Sequence, residues 1–244
     1  MNWEENTVTD SNGLIMVSVD SHEIGNMSIE TTHRRRDLVE LLQRYQIASN
    51  WTISENEQVD LPPLAEITVG TPKSISRGEL VQHLRSMNAV LLRESAALSS
   101  VVLDPHEARL HWDVLTRSGC TVTRPRTAVM NSDTGPRMLR GGLWVAPMSC
   151  SFVGGSRRSV KALFGACQKR LVSACAAGQP FHLNVDIGNQ RDSWQDELTA
   201  LKALFERVVE QRKQSNLQSV RLSELPNILT KKPTKAMVSI LKAA

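Results

Sequence analysis

Aromatic residues are scarce, 4% of the chain with a single tyrosine, which leaves little of the stacking surface that single-strand nucleic-acid binders use. No run of about 18 apolar residues occurs, so no transmembrane segment is expected. The opening Met1-Asn-Trp-Glu-Glu-Asn6 lacks the basic stretch and apolar run of a secretory leader. These absences predict a soluble, cytoplasmic protein. The four cysteines, Cys120, Cys150, Cys167 and Cys175, form no C-x-x-C pair and have no metal-ligand spacing. A chain of 244 residues buries a core large enough to stand without staples, so reduced, packed thiols are expected. Lys and Arg are missing from residues 1–33, which hold six acids, and acids are missing from 231–244, which hold four Lys. The net charge of +4 is thus concentrated at one end, and a solvated basic tail accounts for it better than a nucleic-acid partner.

Strand-length apolar runs are present at 14–19, 48–53, 66–69, 100–103, 120–123, 143–146, 181–187 and 219–222. Helical patterns separate most of them. Residues 33–46 stack Leu38, Leu41, Leu42 and Tyr45 on one face. The next helix opens with Ser76 and Glu79 in capping-box spacing and carries Leu80, Leu84, Met87 and Leu91. A third starts at Asp104-Pro105, buries Leu110, Val114 and Leu115, and stops at Gly119. Two longer helices are expected at 156–177 and 192–214, and a last amphipathic one at 234–242. Regular alternation argues a parallel α/β fold, and about seven to eight strands in one domain argue a single (β/α) barrel over an open sheet. The expected division is a barrel over residues 1–230 with a basic tail over 231–244.

In a parallel barrel, functional groups gather at the C-terminal ends of the strands. Asp20, His22 and Glu23 follow the first strand at once, a carboxylate, an imidazole and a second carboxylate able to take a metal or a proton. Within Phe181-His-Leu-Asn-Val-Asp-Ile187, alternation places His182, Asn184 and Asp186 on one face of a strand that should be buried, and such polar groups need partners. Gly154-Gly155-Ser156-Arg157-Arg158 reads as a turn and helix cap.

Several strings resemble the polysaccharide-deacetylase (NodB-homology) family. Leu14-Ile-Met-Val-Ser-Val-Asp20, followed by Arg36 to Trp51, is similar to its opening strand, aspartate and leucine-rich helix. His111 to Gly119 with Thr123-Arg-Pro-Arg126, Gly142-Leu-Trp-Val-Ala-Pro-Met148, and Phe181 to Asp186 resemble its later segments. The resemblance spans residues 14–225. It implies a distorted, TIM-like barrel and a carbohydrate ligand, an N-acetylated surface glycan or its precursor. It also implies a divalent metal (Zn, Mn or Co), if the chain is active, that polarises an N-acetyl carbonyl. By the same resemblance Asp20 matches the catalytic base, and either His182 or Asp186 the acid. His22 and Glu23 would serve as metal ligands, and Arg124, Trp144 and Asn184 would contact substrate. The paired histidines of the family should fall near residues 66–74, where this sequence has none. Two functions therefore compete: metal-dependent amide hydrolysis, or an inactive barrel that binds a glycan or a polysaccharide-synthesis partner.

Overall fold

The computed structural model describes residues 13–21, 29–53, 61–126, 135–152, 159–188, 194–215 and 217–231. Strand β1 (Leu14–Asp20) is buried from end to end, as expected of a parallel strand covered on both faces. Its two faces go to different places. Ile15, Val17 and Val19 pack outward with Leu38, Leu41 and Leu42 of helix α1 (Ile29–Arg44), while Leu14 and Met16 face inward with Val122, Ala146, Val220, Leu222 and Leu225.

The remaining elements are β2 (Ser49–Ile53), β3 (Ala65–Gly70), α2 (Arg77–Arg93), β4 (Ser100–Val102), α3 (Pro105–Leu110), α4 (Trp112–Arg117), β5 (Val122–Arg124), β6 (Arg137–Met138), β7 (Trp144–Val145), β8 (Cys150–Phe152), α5 (Val160–Ala176), β9 (Phe181–Asp186), α6 (Trp194–Ser215), β10 (Gln218–Ser219) and α7 (Leu225–Lys231). The strands form one curled sheet in the order β6-β7-β5-β4-β3-β2-β1-β9-β8, with β10 beside the start of β1. Every pairing is parallel except β6 with β7. Residues 144–152 link the two sides of the curl: Ala146 N donates to Thr123 O of β5 (2.8 Å) and Ser149 N to His182 O of β9 (2.8 Å). The architecture is the expected α/β barrel, drawn as a partly open one.

Local chemistry explains why most elements fall where the pattern predicts. At α2, Ser76 N donates to Glu79 Oε2 (2.8 Å) and Glu79 N to Ser76 Oγ (3.4 Å), closing the capping box. The four inward residues of α2 are at most 1% exposed. Elsewhere the expectation is corrected. The third helix breaks at His111 (φ −116°, ψ 16°) into α3 and α4, and the change of phase turns Leu110 out to 58% exposure. Strands β6 and β8, of two and three residues, are too short to show a periodicity. The run at 219–222 gives only β10 and a 3-10 turn, Leu222–Glu224, ahead of α7. The reduced-thiol expectation is also corrected, since Cys150 and Cys167 are joined by a disulfide while Cys120 and Cys175 are free thiols. The helix expected at 234–242 and the glycine turn at 154–158 lie outside the described residues. Among the described residues no helix is long and apolar enough to cross a membrane.

Candidate functional site

Period-two alternation sends the even-numbered residues of β1 and β9 to the interior, and the register sets Ser18 beside Asn184 and Asp20 beside Asp186. The inward cluster of Leu14 and Met16 forms an apolar floor. Residues 222–225 join it, held by Asn50 Oδ1, which accepts from Leu222 N (2.9 Å), and Glu66 Oε1, which accepts from Ser223 N (3.0 Å). A polar middle layer follows. His182 Nε2 meets Ser18 Oγ at 2.8 Å, Thr68 Oγ1 meets Ser100 Oγ at 2.8 Å, and Asn184 Nδ2 donates to Ser151 Oγ at 3.5 Å.

The upper layer lies at the C-terminal ends of the strands. Arg124, the last residue of β5, reaches across the interior and donates through Nη2 to Asp20 Oδ1 and to Thr52 Oγ1. Thr52 Oγ1 donates in turn to Asp20 Oδ1 (2.6 Å). Both charged side chains are sealed from water, at 0% and 2% exposure. Asp186 is level with Asp20, and its Oδ1 accepts from Gly188 N (3.0 Å) in the turn that follows β9. Beside this layer Arg126 donates through Nη2 to Thr71 Oγ1 (2.7 Å) and to Pro72 O.

The sequence candidates separate by depth. Asp20 and Asp186 share the upper layer. His182 begins four residues lower on β9, about 13 Å along the strand at roughly 3.3 Å per residue. It is fully buried, and burial first, then the nearby Arg124 cation, pushes its pKa down to about 3. Arg124, expected to touch substrate, is instead the internal partner of Asp20, because a fully buried guanidinium needs a carboxylate. Trp144 is half-buried against the apolar floor, level with Val122 at the start of β5 rather than with Arg124 at its end. Asn184 is buried in the middle layer, and among the described residues its Oδ1 and the Nε of Arg124 have no hydrogen-bond partner. His22 and Glu23 lie outside the described residues. Reading the strand ends missed Ser18 and Arg126; Ser18 was open to discovery, since it shares parity with Asp20 on β1.

Whether these residues fit a divalent metal can be tested on the donor set. Among the described residues no three His, Cys, Asp or Glu side chains are gathered as ligands, whereas a catalytic metal takes about three. An Oδ of Asp20 is already held by a guanidinium, whose charge opposes a second cation in the same place. The described residues do not fit the metal.

No family model and no curated protein matches the sequence. A crystal structure of a Mycobacterium smegmatis protein assigned as a polysaccharide deacetylase aligns over 95% of this chain and 93% of its own, with a TM-score of 0.67 and 11% identity. The chain has the polysaccharide-deacetylase fold. A hydrolase-assigned structure from Bacteroides thetaiotaomicron aligns over 84% of this chain and 45% of its own, with a TM-score of 0.52 and 11% identity. At such identity the likeness is one of backbone. The deacetylase-like barrel keeps carboxylates at its strand ends, and its described residues supply an arginine where the metal chemistry would need more ligands.

Proposed function

We propose that this deacetylase-like barrel binds an N-acetylated glycan at the C-terminal ends of its strands and does not hydrolyse it by the metal-dependent route. The observation that carries this reading is the buried contact of Arg124 and Thr52 with Asp20. A base must have a free lone pair facing substrate, and a carboxylate engaged by a guanidinium and a hydroxyl in a dry interior is poorly placed to take a proton. Asp186, the neighbouring carboxylate at the end of β9, is likewise buried and holds the turn through Gly188 N, so it shapes the strand-end face on which the sugar would sit. The carbohydrate class follows from the fold neighbour's assignment, and the likeness in fold supports it by analogy alone.

The test is a calorimetric titration of N-acetylglucosamine oligomers, first with EDTA and then with Zn²⁺, Mn²⁺ or Co²⁺, together with measurement of released acetate. Equal binding under all conditions and no acetate supports the proposal. Metal-dependent acetate release that Asp20→Asn abolishes would replace it with the hydrolase reading, in which Asp20 is the base, Asp186 or His182 the acid, and His22 and Glu23 supply ligands. Absence of sugar binding would leave a protein partner of polysaccharide synthesis as the better account.

A further inference from the structure

The sulfur bridge between Cys150 and Cys167 ties β8, the terminal strand of the sheet, to the middle of α5. Their Cα atoms are 5.7 Å apart, within the range of about 4.4 to 6.8 Å that a disulfide spans. The two cysteines are only 8% and 0% exposed, so the bond is out of reach of a folded-state reductant and reads as structural rather than redox-active. It also secures Ser151, which receives the amide of Asn184 in the polar middle layer.

Disulfides persist in oxidising compartments and are rare in the cytosol, hyperthermophile proteins being the main exception. Those proteins are enriched in charge and poor in thermolabile residues. Here charged residues make up 22% of the chain and there are eight methionines, which is not that composition. We infer that the barrel matures and works in an oxidising compartment, against the cytoplasmic location expected from its sequence. Resting on the glycan-binding reading above, its ligand is an assembled glycan chain rather than a nucleotide-activated sugar, because Arg124, the buried cation at the strand ends, is already paired with Asp20 and is not available to a diphosphate.

The experiment has two arms on the full chain. Protein is acid-quenched in its source cells, alkylated under denaturing conditions and digested for mass spectrometry. Joined Cys150 and Cys167 peptides with alkylated Cys120 and Cys175 support the inference; alkylation of all four cysteines overturns it. In the second arm the protein is titrated with a hexamer of N-acetylglucosamine and with its uridine diphosphate monomer. Binding of the hexamer tighter by about tenfold or more, roughly 1.4 kcal/mol, supports the assembled glycan. Equal or tighter binding of the nucleotide sugar overturns that assignment. If neither sugar binds while the disulfide is present, the glycan reading fails and the compartment stands.

Discussion

Removing one end of the Asp20–Arg124 pair should be among the most damaging single changes available in this chain. Arg124→Met keeps the side-chain length but leaves the Asp20 carboxylate, at 2% exposure, without its cation. An uncompensated buried charge of this kind costs about 3–5 kcal/mol. For a domain of this size each kcal/mol moves the melting temperature by roughly 2–4 °C, so a fall of about 6–20 °C is expected. Thr52 retains its bond to Asp20 and limits the loss. The double variant Asp20→Leu with Arg124→Met should recover most of the stability, because a buried ion pair replaced by apolar groups is often close to neutral. The measurement is a double-mutant cycle by urea unfolding followed by circular dichroism and by calorimetry. A melting temperature for Arg124→Met within about 2 °C of the parent, or a double variant no better than the worse single one, would refute the reasoning.

Three further outcomes are expected. His182 has a folded pKa near 3 against an ordinary 6.5, so the unfolded chain takes up its proton first as pH falls. The corresponding stability is complete above pH 6.5 and is lost as pH drops toward 3, with about 2 kcal/mol gone by pH 5; His182→Gln should flatten that slope in pH-dependent urea titrations. Gly141→Ala sets a Cβ 2.6 Å from the Trp112 ring at φ 71°, whereas Gly142→Ala at φ 80° meets open space. Unfolding midpoints should therefore show a loss of about 1–2 kcal/mol at Gly142 and a larger one at Gly141, and equal losses would contradict the packing. Asn50→Ala removes the acceptor of Leu222 N and the donor to Val17 O, so a loss of about 2–3 kcal/mol is expected, with faster amide exchange over residues 217–231; protection there equal to the parent would show that Asn50 does not anchor the segment.

Local rules made most of the elements readable. Ser76 and Glu79 announce α2, the spacing of Leu80, Leu84, Met87 and Leu91 gives its buried face, and alternation shows that His182, Asn184 and Asp186 point the same way. Where the pattern misled, a backbone break or a nonlocal contact prevailed. Leu110 keeps helical spacing, yet the break at His111 turns it to solvent. Cys150 and Cys167 have no recognisable spacing because a short strand and a helix bring them together. Trp144 has the character of a sugar-stacking residue and is spent on the apolar floor.

By itself, then, the amino-acid order determined the parallel α/β barrel and the carboxylates at its strand ends, because periodicity and capping act over a few residues. Only the tertiary structure decided that Asp20 meets Arg124 from 104 residues away, that Asp186 and not His182 is level with it, and that the described donors fall short of a metal site. Those facts depend on strand register and on the curl of the sheet, which bring distant side chains into one dry interior where a charge must find its counterpart.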